Sequence, residues 1–489
     1  MGIARTFTAN SIYQISSSFA SKLIGLFLTV YLAAAFTSYD FGIYSWVISL
    51  VMICFIFTDA GTTTALVKYL SGAIGLERRR LAAAYFKFLF KIRLAAVLAV
   101  SAALYFFSHQ LSASLFGKPY LAVPMQAAAL ILAAYSISLY LYTVVFTYKR
   151  MKYVFLIDIS RDIIRLLLTV AMLLFFTKSF YGALLAFGFA FCISLMLYAF
   201  VIARRFPWLF GNADTIEKRR ICRYMAYTII AVFAFVMLSN INVLMISALL
   251  PIENAGFYNI ALAWTGALEG LIPLSLLFPV FAALAVKPRG HLRDAFNLFF
   301  KYTAFFVVPL SFGLAFVSRQ LIGFLYKQAY ELLVPQLLFV LAFVVLFYAL
   351  SHFIIQLYNS IERPDVPTKI FGIGIIINIL VAYFLLSYLK SPLGAAYASV
   401  IAYAIMLIAL LAALRPVAKL SLRPGDLIKP FAASGIAFYL LLLLPAPANL
   451  IIAIPYLLAG SAAYFIIQLA IRGTTVKELL YLKGRILNR

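Results

Sequence analysis

Apolar segments close to twenty residues long recur along the whole chain, and that recurrence limits the fold more than any motif does. Fourteen can be marked: Ile12–Phe36, Phe41–Leu66, Leu94–Ser108, Tyr120–Thr147, Tyr153–Phe176, Tyr181–Ala203 and Tyr224–Leu250, then Phe257–Val286, Ala295–Val317, Leu332–Tyr358, Ile370–Leu389, Leu393–Leu414, Phe431–Leu444 and Leu450–Ile471. Each approaches the ~20 residues that carry a helix across a ~30 Å hydrocarbon core. Composition agrees: 65% of the residues are hydrophobic and 11% charged, far from a soluble average. The chain reads as an all-α polytopic membrane protein of about 14 transmembrane helices.

A net charge of +25 would suggest nucleic acid in a soluble protein. Here topology accounts for it. With the N-terminus inside, only five of the 40 Lys and Arg fall in outer loops (Lys118, Lys178, Arg319, Lys327, Lys390) and four within spans (Lys22, Arg161, Arg165, Lys301). The other 31 collect on the cytoplasmic side, which sets both termini there and removes the case for nucleic acid. Cys54, Cys192 and Cys222 show no disulfide or metal spacing, and His109, His291 and His352 are isolated. No cofactor, metal or catalytic group is expected.

The two halves of the chain repeat one another. Asp40-Phe-Gly-Ile-Tyr44 opens the second span and Asn254-Ala-Gly-Phe-Tyr258 the eighth, an offset of 214. Val123-Pro124 and Val334-Pro335 are 211 apart, and Gly182-Ala183 and Gly394-Ala395 are 212 apart. The near-constant offset indicates a duplicated six-helix unit. An even number of spans per unit makes the copies parallel repeats, an arrangement typical of transporters with a central cavity. The expected organisation is a six-helix bundle over 1–205, a basic cytoplasmic linker over 206–223 and a second bundle over 224–415. Helices 13 and 14 follow over 416–471, and then an amphipathic basic tail over 472–489.

Span five carries Asp158, Arg161, Asp162 and Arg165 at i, i+3, i+4 and i+7, on one helical face. Charges within a span are costly and face a protein interior or a watery cavity. Counting ~1.5 Å per residue from the outer ends places Lys22, Arg165, Lys301 and Glu269 at similar depth, a mainly cationic layer near the cytoplasmic mouth. Arg165 and Lys22, with Arg161 and Lys301, are candidate phosphate contacts, because Arg offers a planar fork of donors and Lys a point charge. A structural reading stands beside this one: the lysines snorkel to the interface, Asp158 satisfies Arg161, and Asp162 pairs with Arg165. Glu269, followed by Pro273 and Pro279, either partners a cation or gates a broken helix. Asp59-Ala-Gly61 ends or kinks span two. An offset of 213 sets the neutral Asn378 opposite Arg165.

Several of these residues resemble the multidrug/oligosaccharidyl-lipid/polysaccharide flippase superfamily, in its polysaccharide-biosynthesis branch. They are Asn10, Phe41-Gly42-Ile-Tyr44, Asp59-Ala-Gly61 with Ala65-Leu66-Val67 and Lys68, Gly256-Phe-Tyr258, and Asn378 ahead of Gly394-Ala395-Ala396. The resemblance implies alternating access and movement of an oligosaccharide on a polyprenyl (di)phosphate from the cytoplasmic to the outer leaflet. It implies as partners the lipid-linked oligosaccharide, membrane lipids, and a glycan polymerase or glycosyltransferases. Many relatives carry Asp fourteen residues before the span-eight glycine, where this chain has Asn242, so cation coupling through that position is in doubt. A multidrug cation antiporter, a glycan polymerase or ligase, and a non-transporting scaffold remain alternatives. The antiporter would favour acidic cavity residues, and the polymerase a large outer loop that this chain lacks.

Overall fold

The computed structural model describes residues 2–175, 179–271, 289–360, 363–414, 425–445, 447, 449–471 and 473. Lys178, Pro273, Pro279 and the amphipathic tail expected over 472–489, apart from residue 473, lie outside the described residues. Among the described residues the chain is helical and without strands. The first helices are α1 (Gly2–Ala35), α2 (Ser38–Asp59), α3 (Thr62–Gly75), α4 (Arg79–Phe106), α5 (Ser108–Ser114), α6 (Ala122–Thr147), α7 (Met151–Phe175) and α8 (Phe180–Arg205). The series continues with α9 (Lys218–Leu249), α10 (Glu253–Leu271), α11 (Arg289–Leu325), α12 (Val334–Ser360), α13 (Asp365–Leu389), α14 (Leu393–Ala413), α15 (Gly425–Leu442) and α16 (Leu450–Ala470). Ten spans among the described residues are long and apolar enough to cross a membrane. This is a multi-pass membrane fold.

Local sequence explains how span two is built. Thr37 caps α2 reciprocally: its hydroxyl accepts from the Asp40 amide at 3.1 Å and donates to the Asp40 carboxylate at 2.7 Å. The helix stops where Ala60 (φ 47°) and Gly61 (φ 76°) turn left-handed. The Asp59 carboxylate then accepts from the Gly61 and Thr63 amides, both at 3.2 Å, and so caps α3. One apolar segment thus becomes two helices joined at an acidic break.

Span three differs from expectation. Its apolar part, Leu94–Ser108, takes in only the second half of α4, which begins at Arg79, and the first residue of α5. The basic residues of the first half mask its hydrophobicity, and one of them, Arg93, lies inside the protein rather than at its edge.

The chain divides into two compact units, one of residues 1–263 and 371–395 and the other of 264–370 and 396–489. In the first unit, Leu66 and Leu70 of α3, Phe86 and Leu89 of α4, and Tyr140 and Val144 of α6 form a core with Tyr198 of α8 and Met225 of α9. The buried Tyr140 hydroxyl donates to the Phe86 carbonyl at 2.6 Å. In the second unit, α11 packs on α12, α15 and α16. Phe305, Ala433, Ala437 and Tyr464 cluster there, and the Tyr464 hydroxyl donates to the Phe305 carbonyl at 2.7 Å.

The repeat has a structural counterpart. Pro124 and Pro335 both sit in the first turn of their helices, where a missing amide costs nothing. The amides of Gly182 and Gly394 both donate to a serine carbonyl three residues back, Ser179 and Ser391, at 3.1 and 3.0 Å. The glycines of the first pair, Gly42 and Gly256, pack against each other.

Lys118 ties a loop to the far end of α9. Its ammonium donates to the Ser247 and Leu250 carbonyls, both at 2.6 Å, satisfying oxygens that a helix end leaves open. Lys118→Ala is expected to lower stability by about 0.5–2 kcal/mol, the range for a cation at a helix C-terminus. A fall in the thermal midpoint of the detergent-solubilised protein would register it; an unchanged midpoint would refute it.

Candidate functional site: a row of arginines beside span two

The four charges of α7 do not pair as two local couples. Arg161 takes both carboxylates: Nη1 donates to Asp158 Oδ1 at 2.9 Å, while Nε and Nη2 grip Asp162 as a fork at 2.9 and 3.1 Å. Tyr198 on α8 also donates to Asp158 Oδ1, at 2.9 Å. The expected Asp162–Arg165 pair is therefore corrected. Asp162 turns to its neighbour Arg161, where both oxygens find donors in one plane, the stronger geometry.

Arg165 points elsewhere: its partners lie within the first eight residues of α2 and α8, so it sits toward the ends of these spans opposite Asp59 and not in the layer expected at the cytoplasmic mouth. Its Nη2 donates to the Tyr44 hydroxyl of α2 at 2.5 Å, and its guanidinium lies over the Phe187 ring of α8 at 4.3 Å. Its Nε is buried with no hydrogen-bond partner. Burying a donor without an acceptor costs about 1–3 kcal/mol, so a site that keeps one is disposed to receive an acceptor. Among the described residues no carboxylate touches Arg165. Of the two arginines on this face, one is fully engaged by anions and the other is not.

The arginines share an aromatic wall. Arg161 stands over Phe191 at 5.1 Å, Phe191 meets Phe187 and Tyr135 at 4.9 Å each, and Tyr135 meets Phe55 edge-on at 5.2 Å. Arg93 in turn stands over Phe55 at 5.0 Å. Cation–π contacts of this kind stabilise by about 0.5–2 kcal/mol each and fix the plane of the guanidinium.

Arg93 ends the row as a plug. It is 0% exposed and forms an ion pair with Asp59, itself 2% exposed. Its remaining donors reach the Ser136 carbonyl at 3.2 Å and the Thr62 hydroxyl at 3.1 Å. The Thr63 hydroxyl donates to Asp59 Oδ1 at 2.5 Å. Asp59 thus meets a cation, hydroxyls and amides at once, as a buried charge must. By position alone Arg93 falls among the 31 cytoplasmic cations, just before the apolar segment that opens at Leu94. The signal was present in Phe86, Leu89, Arg93 and Val97, all buried at helical spacing of three and four.

The other candidates distribute as follows. Lys22 is half-buried on α1, which packs along α7. Tyr13 meets Phe155 at 5.7 Å, and alternation of spans makes the two helices run the same way, so Lys22 reaches the level of Arg165. Asn242 is buried and donates to the Tyr258 hydroxyl at 3.2 Å. Asn378 is fully buried, and neither of its amide atoms has a hydrogen-bond partner. These residues, with Asp59 and the α7 charges, belong to the first unit. Lys301 on α11 and Glu269 near the end of α10, both half-buried, belong to the second.

Tyr44 was not among the sequence candidates. Its place in the repeat carried the hint: Tyr44 and Tyr258, 214 apart, both accept a side-chain hydrogen bond, one from Arg165 and the other from Asn242.

Comparison with known proteins fits this architecture. The profile of the family described as polysaccharide biosynthesis protein matches residues 7–285, and that of lipid II flippase MurJ matches residues 219–468. A solved structure of lipid II flippase MurJ, in an inward closed conformation, superposes with a TM-score of 0.77 at 18% identity, covering 98% of this chain and 100% of that one. An inward-facing multidrug resistance MATE family transporter superposes at 0.64 and 12% identity, over 88% of this chain and 98% of its own. The eukaryotic MATE transporter AtDTX14 does so at 0.59 and 14%, over 89% and 100%. No curated protein matches by sequence. With a family profile matched over more than half its length, the chain belongs to the polysaccharide biosynthesis protein family, within the multidrug/oligosaccharidyl-lipid/polysaccharide flippase superfamily.

Proposed function

We propose that the protein is a flippase that moves a polyprenyl-(di)phosphate-linked oligosaccharide from the cytoplasmic to the outer leaflet by alternating access, in the assembly of a cell-surface glycan. In this reading it resides in the cytoplasmic membrane with both termini inside. The observation that carries the reading is Arg165: a partly buried guanidinium with an open Nε donor and, among the described residues, no carboxylate partner. A phosphate or diphosphate supplies paired acceptor oxygens of the kind this fork lacks. Lys22, level with Arg165, adds a second cation, and Arg161 holds Asp158 and Asp162 so that they do not neutralise the site. The polysaccharide and lipid II flippase profiles support the substrate class.

The same feature weighs against a multidrug cation antiporter. The acids on this face are already engaged, and the uncommitted charge is positive. Reconstitution tests both readings and the scaffold alternative. A fluorescent polyprenyl-diphosphate glycan should change leaflets faster in vesicles holding the protein than in protein-free vesicles. Binding without movement would favour a scaffold, and no movement with the correct glycan would overturn the flippase reading.

A further inference from the structure

The first turn of α2 is held by direct backbone contact. A Cβ on Gly42 would overlap the Ile252 carbonyl oxygen. One on Gly256 would lie 2.9 Å from the Phe41 ring and 3.1 Å from the Gly42 amide nitrogen. Phe41 is buried and stacks on Tyr44 with ring centroids 6.3 Å apart. Tyr44 holds Arg165 Nη2. Contacts therefore run unbroken from Arg165 through Tyr44 and Phe41 to the seam between α2 and the Ile252–Gly256 segment.

The edge of Arg165 involved matters. A carboxylate or phosphate gripped side-on takes Nε and Nη2 together, and four residues earlier on the same helix Arg161 grips Asp162 by that edge. On Arg165 the same edge is half occupied: Tyr44 holds Nη2 while Nε is without an acceptor. An anion seated there competes with the Tyr44 hydroxyl for the fork.

We propose that Tyr44 couples the Arg165 site to the seam, so that an anion bidentate on Arg165 displaces the Tyr44 hydroxyl and loosens the packing of Phe41 and Gly42 on Ile252 and Gly256. The inference rests on the reading of Arg165 as a phosphate contact. A ligand shifts an equilibrium only by its differential affinity for the two states. The seam-open state offers it the whole fork and the seam-closed state half. Linkage makes this reciprocal: opening the seam strengthens binding by the same factor.

The test uses full-length protein in detergent, with Cys54, Cys192 and Cys222 replaced by alanine and Ile252→Cys as the reporter. Ile252 is 2% exposed, so its thiol is shielded while the seam is closed. The probe is geranylgeranyl diphosphate, whose binding is measured in parallel by equilibrium dialysis. The diphosphate is expected to speed maleimide labelling about tenfold, within the usual range of coupling factors. In Tyr44→Phe, labelling should be fast without ligand and gain little from it. Gly42→Ala, which wedges the seam directly, should label fast whatever occupies Arg165. Diphosphate that binds without changing the labelling rate, or that speeds Tyr44→Phe as much as the parent, would overturn the coupling and leave the phosphate site standing. No binding to the parent would overturn both. Slow labelling of Gly42→Ala would overturn the seam as the element that opens.

Discussion

Arg165→Ala is expected to reduce transbilayer movement of the lipid-linked glycan by about 10²- to 10⁴-fold while leaving the protein folded. A bidentate grip forfeits two charge-assisted hydrogen bonds of about 1.5–3 kcal/mol each, and 1.36 kcal/mol is tenfold in rate. The protein should still fold, because Asp158 and Asp162 stay on Arg161, while the lost Tyr44 bond and Phe187 contact lower the thermal midpoint modestly. Arg165→Lys keeps the charge without the planar fork and should fall between the two. The vesicle assay measures the loss, with the thermal midpoint as the control for folding. Wild-type transport by Arg165→Ala would sink the assignment.

The second large effect falls on stability rather than transport. Arg93→Met strands the Asp59 carboxylate where it is 2% exposed, and breaking a buried pair in this way costs about 3–5 kcal/mol. The variant should melt well below the parent, or fail to accumulate. Neutralising both members should restore most of the loss, since a buried pair replaced as a whole is often near neutral. Asp59→Asn is the correct companion, because its amide oxygen still accepts from the Thr63 amide that opens α3. A single Arg93→Met variant as stable as the parent would contradict the plug. So would a double variant no better than the single one, because the cost would then lie in the packing of Arg93 and not in the stranded charge.

Fold and site were unequally legible in the sequence. Apolar length located most of the described helices, because a lipid-spanning segment leaves the chain few other ways to satisfy its backbone, but it began span three fifteen residues late. Short-range chemistry was also readable: Asp59-Ala-Gly61 breaks span two where a left-handed pair requires it. Pairing was not. Spacing lets Asp162 meet either Arg161 or Arg165, and side-chain direction decides between them. Arg93 escaped notice because charge count, not face, was used to bound span three. Tyr44 escaped because its partner lies 121 residues away, beyond the reach of any local pattern.

The meeting of Gly42 and Gly256 makes the two halves of the chain depend on each other at one point. A motif that packs on its own copy joins the two repeats of the sequence at one close backbone crossing. A methyl group on Gly42 would strike the Ile252 carbonyl and one on Gly256 the Phe41 ring and Gly42, so both substitutions push on the same crossing. Gly42→Ala and Gly256→Ala should accordingly be non-additive in the thermal midpoint, the double variant losing less than the two losses combined. Strict additivity would show that the two positions do not share one crossing.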